Sequence, residues 1–439
     1  MSSFLFYGCW NNINCKNEFI HRDAIITHIK NSEKTITKMF IAGDNWYSTK
    51  VKNNEGETVQ YYLISILMSG FDKLYKLKKE LHIACGNHDE AEDNDKSSDE
   101  KKRELKKRCM IKTQKKYIDE LNSKIDTLDS SEDMYEESSL TYDSFIESDL
   151  KSFKQITLEN LKDLNNLDVH DNKINIYVDD VGIVEETDYI VIIINTNKIN
   201  DKQYFEKVKK TFEIVKSKQK NKQESKKKKI FVMGHIPIVG IKNNSIKKKD
   251  KSLSQTSLVG EYVKLFELLA DFQFIYLCAD SHYFSVMEIK HNGKKVIQIT
   301  VGVGGADPDI NTEYIENKKI FGENDTEISY YLINSYGYSI IYIYNEHIVV
   351  KYKNLFDQHS VKGNTYLYEI TDKFDVLFQS STQMANSSIN KLEKIKIDKI
   401  DKTNTCNKID QEKKTINNHV VTSENKSIYC YKKIKKDKD

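Results

Sequence analysis

The sequence predicts an α/β protein: a sheet of buried strands with helices between them, carrying polar clusters at the strand ends. Three observations lead there. Short apolar runs, broken only by His82, recur at residues 4–7, 39–42, 81–85, 189–194, 230–233 and 274–278, most of them bounded by Gly, Asn or Asp. Their lack of alternation is what a strand covered on both faces requires. Between several of them lie stretches with apolar residues at three- and four-residue steps, notably 59–79 and 204–218, so strand, helix and strand alternate. A later group, 296–301, 339–344 and 347–352, has little helical sequence between its members and a turn at Asn345 and Glu346. It reads as antiparallel hairpin strands of a second sheet.

The chain is 439 residues long, enough for one large core with much sequence left outside it. Hydrophobic residues make up 38% and charged residues 31%, so long solvated segments are expected around that core. From 91 to 172 the composition turns first Lys-rich, then acidic, with nine acids and no Lys or Arg between 126 and 150. This stretch is expected to be a charged insertion, partly helical and partly disordered, interrupting a domain spanning 1–380. Residues 385–439 read as a Lys- and Asn-rich disordered tail. Both segments are candidate surfaces for a protein partner.

The net charge is +2 and the basic runs lack interleaved aromatic residues, so nucleic acid is not an expected partner. Seven irregularly spaced cysteines without a Cys-x-x-Cys pair argue against a disulfide framework and for a reducing compartment. The N-terminus lacks the basic start and apolar length of a secretion signal, and no apolar run is long enough to span a bilayer. A soluble, cytoplasmic or otherwise intracellular protein is expected, with no membrane partner.

The chemistry sits where the apolar runs stop. Three end in Gly43-Asp44-Asn45-Trp46-Tyr47, Gly86-Asn87-His88-Asp89-Glu90 and Gly234-His235-Ile236-Pro237, and a fourth in Cys278-Ala279-Asp280-Ser281-His282. Loops at the carboxyl ends of strands in an open α/β sheet converge on one crevice. Asp, Asn and His meeting there make a donor set for metal ions. Each has a plainer reading alone: Asp44 and Asn87 as helix caps, His235 as a turn residue, His282 as a core histidine, Tyr47 as packing.

In this order, the clusters resemble the signature of the calcineurin-like metallophosphoesterases, and Gly43 to Tyr47 has the Gly-Asp-Asn-aromatic-Tyr form of the purple-acid-phosphatase branch. The likeness runs from about Phe4 to Asn354, minus the insertion, and takes in both prolines, Pro237 and Pro308. It implies a four-layer α/β/β/α sandwich of two mixed sheets flanked by helices. It also implies two metal ions, iron, zinc or manganese, bridged by Asp44, with Asn87 and His235 on the second and Tyr47 and His282 on the first. His88 would face the substrate as proton donor or charge stabiliser, oriented by Asp89.

The implied reaction is hydrolysis of a phosphate monoester, on a small molecule or a phosphoprotein, by a metal-bound hydroxide. Two motifs depart from the family. Gly8-Cys9-Trp10-Asn11 stands where an Asp ligand is usual, leaving Cys9 as a thiolate ligand or a lost one, and Asp280 replaces the first histidine of the last motif. These departures motivate a second reading, a decayed fold serving as scaffold or binding module. A phosphodiesterase or nuclease is a third.

Overall fold

The structure, a computed structural model, describes residues 2–12, 19–47, 49–52, 58–61, 64–90, part of 111–122, 174–220, 222, 227–243, 253–256, 261–309, 314–321, 326–356, 361–383 and 431–433. In chain order its elements begin with β1 (Ser2–Tyr7), α1 (Phe19–Ser32), β2 (Lys38–Ile41), β3 (Thr49–Lys52), β4 (Thr58–Tyr61), α2 (Ile64–Tyr75) and β5 (Glu80–Ala84). Next come β6 (Ile174–Tyr177), β7 (Gly182–Glu185), β8 (Tyr189–Ile193), α3 (Lys202–Lys220), β9 (Lys229–Met233), β10 (Gly240–Asn243), β11 (Leu253–Thr256) and α4 (Glu261–Phe272). The last run is β12 (Ile275–Cys278), β13 (Phe284–His291), β14 (Lys294–Val301), β15 (Tyr314–Phe321), β16 (Glu327–Ile333), β17 (Tyr336–Ile343), β18 (His347–Phe356), β19 (Val361–Thr371), β20 (Val376–Gln383) and β21 (Tyr431–Lys433).

Two mixed sheets hold most of these strands. The first has the order β20-β19-β18-β17-β1-β2-β5-β6 and the second β15-β16-β13-β14-β12-β9-β8-β7. In the first, β1, β2, β5 and β6 run parallel, and the meander from β17 to β20 is antiparallel. In the second, β14, β12, β9 and β8 run parallel, with antiparallel strands on both sides.

Side-chain alternation along β8 reveals the layers. Tyr189, Val191 and Ile193 join the core that also holds Phe4, Phe40 and Phe231. Ile190, Ile192 and Ile194 turn the other way, into a cluster with Val208 and Phe212 of α3 and Leu265 and Leu269 of α4. A strand buried on both faces has no use for polar alternation, which is why this run is apolar throughout. Between the sheets, the Phe4 ring lies 5.0 Å from Tyr189 and 5.3 Å from Phe231, and Phe284 stacks on Tyr352 at 4.1 Å. On the far side, α1 and α2 bury Ala24, Ile25, Ile29, Phe71 and Leu74, giving helix, sheet, sheet and helix in sequence through the molecule.

The expected strands at 4–7, 39–42, 81–85, 189–194, 230–233 and 274–278 all form, within a residue or two. Two expectations need correcting. The helix read at 59–79 is shorter, because β4 occupies Thr58–Tyr61 and α2 begins at Ile64. The three later strands do not form one separate sheet: β14 pairs parallel to β12, whereas β17 and β18 extend the sheet of β1. Period-two sequence identifies a strand but not its partner.

Most of the expected insertion and tail lies outside the described residues. The described part of 111–122 is helical and buries Tyr117, Ile118 and Leu121, with the Tyr117 ring 6.4 Å from Phe71. Charged composition around this segment masked its apolar face. Among the described residues no helix is long and apolar enough to cross a membrane.

Because Phe4 touches aromatic rings from both sheets and is fully buried, Phe4→Ala opens a cavity where the layers meet. A loss of about 3–5 kcal/mol in unfolding free energy is expected from urea denaturation. A loss under about 1 kcal/mol, the scale of an ordinary surface change, is inconsistent with this packing.

Candidate metal centre

The carboxyl ends of the parallel strands from both sheets meet at one place. Backbone bonds lace their loops together: Cys9 N donates to Gly43 O at 3.1 Å, Ala306 N to Cys9 O at 2.9 Å, and Ala279 N to His235 O at 2.9 Å. Side chains cannot intrude at such crossings. A Cβ on Gly8, after β1, would stand 2.5 Å from the Ala279 Cβ after β12; one on Gly86 would stand 2.2 Å from Asp44 Oδ1.

Three of the candidate ligands have backbone that L-residues seldom adopt: φ is 49° at Cys9, 57° at Asp44 and 45° at Asp280. Such conformations cost on the order of 1–3 kcal/mol each and persist where the surroundings impose them. Each residue lies two or three positions past a parallel strand end, where the loops of the two sheets meet.

Asp44 is the centre of the cluster, and its two oxygens face two different sets of groups. Oδ2 accepts from the Tyr47 hydroxyl at 2.7 Å and the Cys9 thiol at 3.6 Å. Oδ1 lies 3.1 Å from His235 Nε2 and accepts from His88 N at 3.2 Å. The His235 Nε2 atom also sits 2.9 Å from Asn87 Oδ1 and 3.7 Å from Asp280 Oδ1. Donor atoms of Cys9, Asp44 and His235 all lie within 4.8 Å of one another, and all three residues are buried.

The tautomer of His235 follows from its neighbours. Its Nδ1 is 2.5 Å from the Ala42 carbonyl, which can only accept, so Nδ1 carries a proton and Nε2 faces three oxygens. An acceptor-lined nitrogen needs either a second proton or a cation. Burial alone would lower the His235 pKa, but Asp44 overrides it and holds the imidazole at about 9. Burial likewise opposes ionisation of Asp44, yet the imidazoles of His235 and His88 hold it well below the usual carboxylate range. Burial, then Asp44 and Asp280, push the Cys9 thiol up.

These residues fit a metal ion. A carboxylate, an imidazole whose other nitrogen is tied to a carbonyl, an amide oxygen and a thiol form a mixed N, O and S set suited to zinc or iron, with manganese favoured by the oxygens.

The other predicted residues are placed as follows. Tyr47 is at the centre through Asp44. The His88 ring packs 4.5 Å from Tyr47, and its buried Nδ1 has no hydrogen-bond partner. His282 stands on the same loop as Asp280 but outside the tight cluster; its Nδ1 donates to Asp307 O at 2.7 Å and its backbone N to Asp309 Oδ2 at 2.9 Å. Asp89 departs from its expected role. Its carboxylate bonds to backbone and to Asn45: Oδ1 accepts from Asn45 N at 2.9 Å, and Oδ2 from Asn45 Nδ2 at 2.8 Å and Gly86 N at 2.7 Å. Burial, then the nearby Asp44 charge, raise Asp89 to about 7.

Sequence reasoning missed the turn after β8. The Thr196 hydroxyl accepts from His235 N at 3.3 Å and Ile236 N at 3.1 Å, and Asn197 Nδ2 donates to Gly86 O at 3.0 Å. The signal was present: Asn195-Thr196-Asn197 is another polar cluster closing an apolar run.

No family model matches this chain, and no curated protein matches it. Comparison with solved structures returns a single mutant of Vps29 from Entamoeba histolytica, at TM-score 0.23 and 9% identity, covering 86% of this chain and 99% of that one. Overlap that slight decides neither fold nor activity.

The charge arrangement sets a pH dependence. His235, raised from 6.5 to about 9, stabilises the metal-free fold below 6.5 and loses that contribution as pH rises through about 9. Asp89, raised from 3.8 to about 7, changes in the same direction, whereas Asp44 is ionised throughout this window, folded or unfolded. With chelator present, the urea midpoint should therefore fall between pH 6.5 and pH 9. Saturating zinc should remove or reverse the slope, because the metal takes the place of the His235 proton. A flat metal-free profile contradicts the assigned protonation.

Proposed function

We propose that this chain is a metal-dependent phosphoesterase that hydrolyses phosphate monoesters, related to the calcineurin-like metallophosphoesterases and, by the Gly43 to Tyr47 motif, to their purple-acid-phosphatase branch. The observation that carries the reading is the division of labour at Asp44, with one oxygen toward Cys9 and Tyr47 and the other toward His235. A carboxylate so placed suits a bridge between two cations. Asn87, His235 and Asp280 would serve one side and Cys9 and Tyr47 the other, with His282 closing the Cys9 side.

Bound cations at such a site neutralise phosphoryl charge and activate water near neutral pH. The chain's own part is to place and protonate. His88 is held by its backbone bond to Asp44 and by the Tyr47 ring, and its imidazole would give a proton to the leaving oxygen. Asp89 fixes the loops that carry Asp44 and Asn87. The substrate class is a phosphorylated small molecule or phosphoprotein in an intracellular setting.

Cys9 favours a second reading, a scaffold that keeps the fold without turnover, since its thiol donates to Asp44 and burial keeps it protonated. Metal content separates the two. Elemental analysis of protein purified without chelator is expected to give two equivalents; none favours the scaffold. Turnover of an aryl phosphate with zinc, manganese or iron should fall about 10²–10⁴-fold in kcat for His88→Ala, with metal content unchanged. Asn87→Ala should lose both metal and turnover. Activity indifferent to both variants sinks the proposal.

A Cys9→Asp variant tests the thiol. Exchanging soft sulfur for hard oxygen should move the metal preference from zinc toward manganese if Cys9 is a ligand. A gain of metal and activity with no change of preference identifies Cys9 as a lost ligand instead.

A further inference from the structure

Behind the metal-facing loops of the first sheet lies a buried polar chain that the proposed chemistry does not use. Arg22, on α1, is 1% exposed. Its Nε donates to Asp23 Oδ1 at 2.7 Å, and Nη2 meets the same oxygen at 2.6 Å. Nη1 donates at 2.7 Å to Asn11 Oδ1, two residues beyond Cys9. Asn11 passes the connection on, its Nδ2 donating to Asn45 O at 2.8 Å, next to Asp44. Asn45 is gripped by Asp89, which also takes the Gly86 N–H beside Asn87. One continuous path thus links α1 to the residues adjoining Cys9, Asp44 and Asn87.

A buried guanidinium is a poor way to gain stability, because desolvation offsets most of its attraction to a carboxylate. It is a good way to fix direction. The planar fork reaches Asp23 and Asn11 at set angles, which a single ammonium cannot reproduce. Asn11 is held just as tightly, since a Cβ at Gly70 would stand 2.4 Å from its Oδ1.

We infer that Arg22 is a positioning residue for the metal centre: acting through Asn11, it holds the loop after β1 in register with the loop after β2, so that the Cys9 thiol is presented to the same ion as Asp44. The inference rests on the metal reading above and adds to it the origin of the Cys9 geometry. Groups hydrogen-bonded to ligands typically change metal affinity 10- to 100-fold, and this network, which acts through the residues flanking Cys9, Asp44 and Asn87, is expected to have an effect of about that size.

Cobalt(II) titration of the full chain tests it, because a cysteine thiolate on cobalt gives a near-ultraviolet charge-transfer band that merely folded protein lacks. The wild type should show the band and Cys9→Ser should not; absence from the wild type, or survival in Cys9→Ser, overturns the assignment of Cys9 as ligand, whatever Arg22 does. Given the band, Arg22→Lys and Asn11→Ser should weaken it and raise the cobalt Kd about 10- to 100-fold. Lys353→Met, which breaks the largely buried pair between Lys353 of β18 and Glu33 just past the far end of α1, should lower the urea midpoint while leaving band and Kd at wild-type values. Folded Arg22→Lys and Asn11→Ser proteins with wild-type band and affinity overturn the inference. If Arg22→Lys fails to fold, Asn11→Ser decides; if neither folds, the network is a folding element and the positioning role is lost.

Discussion

A carboxylate buried in the middle of a protein has to be answered by its surroundings, and at Asp44 every surrounding loop takes part in the answer. Left alone in a medium of low polarity it would bind a proton. Instead it meets the His235 imidazole, the Tyr47 hydroxyl and the His88 backbone N–H, and stays ionised. These partners come from the strand ends of both sheets. Ionising Asp44 is therefore coupled to docking the two sheets in one arrangement, and the bare backbone at Gly8 and Gly86 lets them come close enough.

Much of this could be read from the sequence because two physical signals coincide in it. A strand covered on both faces must be apolar through its buried part, so β1, β2, β8, β9 and β12 declare themselves, and β5 does so despite His82. A chain leaving such a strand must satisfy its polar backbone, so the next residues are Gly, Asp, Asn and His. Where both signals fall together, as at Asp44, Asn87, His235 and Asp280, the structure brings the residues to one crevice. Where they do not, partners stay hidden: the local pattern shows a β17–β18 hairpin, but nothing in it names β1, more than 330 residues away, as the partner of β17.

Side-chain roles were less legible than side-chain locations. Asp89 adjoins His88 in sequence, which suggested that it orients the ring, but the tight turn at His88–Glu90 sends its carboxylate back to Gly86 and Asn45. Adjacent residues in a turn diverge, and the Asp89 carboxylate is bonded to Gly86 in its own loop and to Asn45 in the loop after β2. Arg22 is one of three arginines in a Lys-rich chain. Its singularity makes sense in the structure, where a forked donor has to span a carboxylate and an amide at once.

Cys9 and Asp280 share with Asp44 a left-handed backbone, so three strand-end turns of the same kind bring these side chains together. Cysteine is an ill-suited residue for that conformation, because it lacks the short polar side chain by which Asp and Asn bond locally to the backbone there. A turn without a task would relax, or would have glycine in it. Here three nearby carboxylates, Asp44, Asp280 and Asp309, raise the energy of a Cys9 thiolate. The same crowding of negative charge would favour a cation lodged among them, and with a cation present the thiolate becomes the favoured form. Strain in the backbone and repulsion among the side chains thus point to one remedy, a positive charge between Cys9 and Asp44.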